Sequence, residues 1–194
     1  MKIIGLTGGI AVGKSAVSQI LKQHGYEIID ADRVAHQLQA TNTPLLTELA
    51  TVFGLTILHK DGNLNRDKLA KIVFKDEQAR QRLNAIVHPA IRAEFERLIK
   101  HFTGDILFLD VPLLFEAGFD ELTDANLVIK ATKDVQLKRL TSRDGLTEEM
   151  ALARINSQIP ASEAEKLADF VIDNSGDFGA LEENVEKFLE KIRK

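Results

Sequence analysis

The chain has 194 residues, with 25 Lys and Arg against 29 Asp and Glu, 44% hydrophobic residues, 12 Gly, 4 Pro and no Cys. That composition excludes disordered, collagen-like and low-complexity classes, and at about 100 to 200 residues per domain the length suits one domain with insertions. The net charge of -4 argues against a chain-wide nucleic-acid-binding surface, and the absence of Cys removes disulfides, thiolate metal sites and thiol nucleophiles together.

Met1-Lys2-Ile3-Ile4-Gly5-Leu6 gives way to glycines too soon for a signal peptide, and no run of about 18 apolar residues occurs, so a cytoplasmic location without a membrane or nucleic-acid partner is expected. Apolar runs of strand length alternate with helically spaced stretches, the pattern of an α/β protein on a parallel sheet covered by helices on both faces. The first predicted strand is Lys2 to Thr7. Directly after it, Gly8-Gly9-Ile10-Ala11-Val12-Gly13-Lys14-Ser15 fits G-x-x-x-x-G-K-[ST] and runs into the first predicted helix, Gly13 to His24, with Gly25 placed to end it. Strand, loop and helix in that order make an anion nest. Backbone N–H groups and the helix N-terminus face a triphosphate, Lys14 bridges its β- and γ-phosphates, and the Ser15 hydroxyl ligates Mg²⁺.

The second predicted strand, Tyr26 to Ile29, leads into Asp30-Ala31-Asp32 at the carboxyl edge of the sheet, where ligands of open α/β folds bind. A carboxylate there accepts a proton from an attacking hydroxyl or holds a magnesium-bound water; alternatively, one of the two caps a helix beginning near Arg33. About 75 residues, Asp30 to Gly104, then separate this strand from the next, far more than one crossover helix needs. The insertion reads as helices, with Leu69, Ile72 and Val73, then Leu83, Ile86 and Val87, and after a break at Pro89 a further helix on Ile91, Phe95, Leu98 and Ile99. His88 sits at that break, where it is either a substrate contact or a helix-end histidine, while His24, His36, His59 and His101 show no metal spacing.

The third strand, Asp105 to Leu109, is tipped by Asp110, either a metal carboxylate or a turn residue before Pro112, and Glu116 follows one turn on. After the fourth strand, Asn126 to Ala131, a second excess from Thr132 to Ala168 carries short helices rich in basic residues. Thr147 marks a helix start and Ser162-Glu163-Ala164-Glu165 matches a capping box. Arg139 and Arg143, four residues apart, share a helical face and are either cations for a transferring phosphoryl group or a solvated surface. The fifth strand is Asp169 to Ile172, and Leu181, Val185, Phe188, Leu189 and Ile192 make the apolar stripe of a final helix.

Together these segments resemble the dephospho-coenzyme A kinase family. The similarity is carried in order and spacing by Gly5 to Ile10, Gly13-Lys14-Ser15, Asp30-Ala31-Asp32, His88-Pro89, Val111-Pro112-Leu113-Leu114-Phe115-Glu116, Arg139 to Asp144 and Ile172-Asp173-Asn174-Ser175-Gly176. The resemblance implies a single kinase domain over 1–194 with the P-loop kinase fold, a five-stranded parallel sheet flanked by helices. Its core would be 1–30, 104–131 and 169–194, with a helical coenzyme A-binding insertion at about 31–103 and a lid at about 132–168.

The implied reaction is ATP-dependent phosphorylation of the ribose 3′-hydroxyl of dephospho-coenzyme A with Mg²⁺, the last step of coenzyme A biosynthesis. Asp32 is implied as base or positioning carboxylate, Lys14 and Arg139 as charge stabilisers, and Arg143 as nucleotide-side lid support. Gly8, Gly9, Ala11, Val12, Gly13, Lys14, Ser15 and Ala16 are implied to hold the nucleotide, Ser15 the metal, and Thr7, Asp32, His88 and Leu113 the acceptor. Ala11 and Val12 stand where the family usually has Gly-Ser, and Ala16 where Thr is usual. The loop therefore binds phosphate as expected only where neither residue requires positive φ. A nucleoside or nucleoside monophosphate kinase shares the loop and lid. A GTPase switch is disfavoured because Asp110 is followed by Val-Pro-Leu and no N-K-x-D segment occurs.

Overall fold

The structure, a computed structural model, describes residues 1–193. Five strands, β1 (Lys2–Gly8), β2 (Glu27–Asp30), β3 (Ile106–Asp110), β4 (Ala125–Lys130) and β5 (Phe170–Asp173), form one sheet in the order β2-β3-β1-β4-β5. The β1–β3, β1–β4 and β4–β5 pairs run parallel, with Leu6 opposite Asp110 and Thr7 opposite Val128. Ile4, Leu6, Leu107, Phe108, Leu109, Leu127 and Ile129 are buried, which explains why these strands read as continuous apolar runs. Since β1 lies between β3 and β4, its carboxyl end opens at the place where an open α/β sheet binds ligands.

The chain divides into two compact units, one made of Met1–Ile29 with Thr103–Lys194, the other of Asp30–Phe102. In the first, α1 (Lys14–Gln23) and α9 (Phe178–Ile192) pack one core with the sheet. Val17, Ile20 and Leu21 from α1 meet Leu181, Val185, Phe188 and Leu189 from α9 over Ile4, Leu6 and Phe108, each such burial stabilising by about 1.5 to 3 kcal/mol at most. Gly25, at φ 85, follows the end of α1 in the left-handed conformation that its sequence position anticipates. The same unit contains α6 (Lys133–Asp144), α7 (Glu148–Asn156) and α8 (Ala161–Lys166).

The Thr147 hydroxyl caps α7 by accepting from Met150 N. The capping box expected at Ser162 does not form. Pro160 occupies the N-cap of α8, so the helix begins one residue before Ser162, and Glu165 instead accepts from Lys130 Nζ at 2.8 Å.

The second unit holds α2 (Ala31–Leu38), α3 (Pro44–Phe53), α4 (Arg66–Lys75) and α5 (Glu77–His101), with α2, α3 and α4 all packed on α5. Here the expected break at Pro89 is overturned: α5 runs through it for 25 residues. Proline removes one N–H bond and crowds the preceding turn, but the buried stripe Ala79, Val87, Ile91 and Phe95 keeps a four-residue register across it. Burial on both sides of position 89 holds one helix. Among the described residues, no helix is long and apolar enough to cross a membrane.

Candidate active site

The loop between β1 and α1 has two left-handed residues, Gly13 at φ 93 and Ala11 at φ 59. Gly13 is the N-cap of α1, and an added Cβ there would lie 2.1 Å from Asn174 Nδ2, so both conformation and close packing require glycine. Ala11 has no such licence. A left-handed L-residue costs about 1 to 2 kcal/mol, which the surrounding contacts must offset. The condition set by the sequence, that neither Ala11 nor Val12 need positive φ, fails at Ala11, although the loop conformation is still reached.

Lys14, in the first turn of α1, forms an ion pair with Asp110 Oδ1. The Ser18 hydroxyl donates to Asp110 Oδ2 at 2.8 Å, so both oxygens of this buried carboxylate are engaged. The register that places Asp110 opposite Leu6 brings the tip of β3 beneath the loop, giving the Lys14 ammonium a fixed counter-charge. Ser15 lies exposed beside Lys14, and Ala16 packs against the core.

From outside, four side chains grip the loop backbone. Arg139 Nη1 donates to the Ala11 and Val12 carbonyls, both at 3.1 Å, and its Nη2 to Asn174 O at 3.0 Å. Asn174 Nδ2 donates to Val12 O at 2.7 Å, Gln136 Nε2 donates to Ile10 O at 2.7 Å, and Ile10 N donates to Gln158 Oε1 at 2.6 Å. Arg139 and Gln136 come from α6, Gln158 from the α7–α8 connection, and Asn174 from just after β5. Beside the loop lies a cavity of about 230 Å³ whose lining includes Thr7, Gly9, Glu116, Lys130, Gln136 and Gln158. Glu165 hydrogen-bonds the Lys130 ammonium and raises its pKa, so that this lining residue stays charged.

The other anticipated residues are distributed as follows. Thr7 is buried with its hydroxyl donating to Pro112 O at 3.1 Å, whereas Leu113 is 44% exposed and outside the cavity lining. Arg143 does not share the inward role of Arg139; it is exposed at the end of α6 and bonds the neighbouring Asp144 at 2.7 Å. In the second unit, Asp30 caps α2, its Oδ1 accepting from Asp32 N at 2.9 Å and Arg33 N at 3.1 Å. That assigns the capping duty to Asp30 and leaves Asp32 exposed in the first helical turn. His88 is half-buried within α5, and burial lowers its pKa, favouring the neutral imidazole.

Sequence reasoning missed Gln136, Gln158 and Ser18, for which no spacing rule exists. Asn174 is visible in the sequence only as part of a segment that resembles the family, with no role attached. Among the described residues no cluster of three or more His, Asp or Glu side chains is arranged to hold a metal.

Both the sequence and the fold have counterparts in known proteins. The sequence profile described as Dephospho-CoA kinase matches residues 2–179. A dephospho-CoA kinase of Carboxydothermus hydrogenoformans is 45% identical over 194 residues, covering 98% of this chain and 94% of that protein. Among solved structures, the dephospho-CoA kinase from Campylobacter jejuni superposes with a TM-score of 0.72 at 33% identity, covering 98% of this chain and 96% of that one. A shikimate kinase from Bacteroides thetaiotaomicron, at TM-score 0.59 and 13% identity over 100% of this chain and 99% of its own, shares the fold alone. With its phosphate loop, five-stranded parallel sheet and near full-length matches, this chain belongs to the dephospho-CoA kinase family.

Proposed function

We propose a division of labour for the ATP-dependent phosphorylation of the ribose 3′-hydroxyl of dephospho-coenzyme A, which gives coenzyme A and ADP, in which the loop of residues 8–15 and α6 hold the triphosphate and the second unit selects the acceptor. The observation that carries it is the loop itself, a left-handed Gly13 capping α1 with Lys14 in the first turn of that helix. Backbone N–H groups there face an anion, and the lysine reaches the β- and γ-phosphates. Asp110 keeps that ammonium oriented until phosphate oxygens take over as partners.

The exposed Ser15 hydroxyl in the first turn of α1 is assigned as the protein ligand of a divalent ion, whose remaining ligands would be phosphate oxygens and water. A Mg²⁺ ion held there would supply charge neutralisation to the phosphates. Arg139 fixes the Ala11 and Val12 carbonyls outward, which turns the loop's N–H groups inward, and adds positive charge beside the nucleotide. Asp32 is assigned the proton of the attacking 3′-hydroxyl. The segment from 132 to 168 is assigned the lid, and Arg143, exposed on it, a contact made on closure.

The acceptor panel tests this reading. Purified protein with ATP and Mg²⁺ should phosphorylate dephospho-coenzyme A and leave adenosine and AMP unmodified; equal turnover of AMP would overturn it. His88→Ala should raise KM for dephospho-coenzyme A about tenfold while KM for ATP changes less than about twofold, since loss of one polar contact to substrate is worth roughly 1 to 1.5 kcal/mol. Steady-state kinetics with each substrate varied in turn checks it. Equal shifts in both KM values would make His88 a structural residue of α5.

A further inference from the structure

We propose that Gln158 is a positioning residue for the phosphate loop, its amide holding the Ile10 peptide so that Ala11 stays in the left-handed conformation. Ile10 N donates to Gln158 Oε1 at 2.6 Å, and Gln136 Nε2 donates to Ile10 O at 2.7 Å, so both peptide groups of the residue before Ala11 are fixed by side chains. These bonds span 148 and 126 residues of sequence.

Gly9 gives an independent sign that the approach is built in. A Cβ on it would lie 3.1 Å from Gln158 Oε1, closer than an ordinary contact, so the absent side chain leaves room for that amide. Ala11 follows at φ 59. An alanine released from neighbouring constraints returns to negative φ, which rotates the peptide groups of residues 10 to 12 and takes loop N–H groups off the phosphate position. Arg139 and Asn174 fix the Ala11 and Val12 carbonyls on the far side of that residue. Gln158 fixes the near side. It does not touch the reacting atoms; it acts through the backbone of Ile10.

The proposal rests on the reading of this loop as the triphosphate cradle. Gln158→Met keeps the side-chain length and removes the acceptor oxygen, and Gln158 is only half-buried, so the variant folds. Its Kd for ATP with Mg²⁺, by titration calorimetry, should rise about tenfold, with KM for dephospho-coenzyme A within about twofold of wild type. In an Ala11→Gly background the same substitution should raise the Kd less than about threefold, because glycine adopts positive φ unaided. An unchanged Kd, or an equal rise in both backgrounds, would overturn the proposal, as would a loss of kcat and Tm with ATP binding intact. Wild-type protein that fails to bind ATP would instead overturn the reading of the loop, and the proposal with it.

Discussion

Lys14→Ala is expected to lower kcat by about 10² to 10³, because the ammonium stabilises charge on the transferring phosphoryl group and such a contact is typically worth roughly 2.7 to 4 kcal/mol of barrier. The structure adds a second consequence that the loop motif does not contain. Lys14 is the ionic partner of Asp110, and removing it leaves a buried carboxylate with the Ser18 hydroxyl as its remaining neutral partner. Breaking a buried pair from one side typically costs about 3 to 5 kcal/mol, so the variant should also melt earlier. Catalytic and structural effects separate in the double variant. Adding Asp110→Asn to Lys14→Ala removes the orphaned charge and should recover most of the Tm while kcat stays low. Circular-dichroism melts and single-turnover kinetics on the three proteins measure this. Recovery of kcat together with Tm would mean that Lys14 acts only through the fold.

Asp32→Asn should reduce kcat by about 10² or more with Kd for ATP within a few-fold of wild type, since the amide keeps the shape and loses the ability to accept a proton. The adjacent carboxylate supplies the control. Asp30 caps α2 through two backbone N–H bonds, so Asp30→Ala should cost roughly 1 kcal/mol of stability, a cost that Asn at the same position would largely avoid. The two neighbouring acids thus answer to different measurements, a rate for Asp32 and a melting temperature for Asp30. If Asp32→Asn instead abolishes ATP binding with normal turnover of the bound fraction, Asp32 belongs to the nucleotide side.

The central strands β1, β3 and β4 were legible because burial on both faces writes itself as continuous apolar runs, and each of the five strands lies within about two residues of the span expected from the sequence. The phosphate loop was legible because its glycines, lysine and serine are close in sequence and each answers a local demand. Local signals failed where longer-range packing decided. Pro89 looked like a helix end, yet Val87 and Ile91, buried on either side of it, keep one helix running. Ser162 looked like a cap, yet Pro160 starts the helix first.

Arg139 and Arg143 shared a helical face by spacing, but one faces the loop and the other lies at the helix end against Asp144. Gln136 and Gln158 left no trace at all. Their meaning is a hydrogen bond to a backbone group more than 120 residues away, and glutamine is common on helix surfaces for unrelated reasons. The strain that makes them matter, Ala11 at φ 59, likewise exists only in the folded chain.

The most direct measurement is the fate of the γ-phosphoryl group. Purified protein, ATP, Mg²⁺ and dephospho-coenzyme A are incubated and followed by ³¹P NMR, with ADP and coenzyme A quantified in parallel. The account predicts ADP and coenzyme A in equal amounts, with the new phosphate on the ribose 3′-oxygen and ADP formation close to zero without acceptor. ADP released without phosphorylated acceptor, or phosphate on any other oxygen, would contradict it.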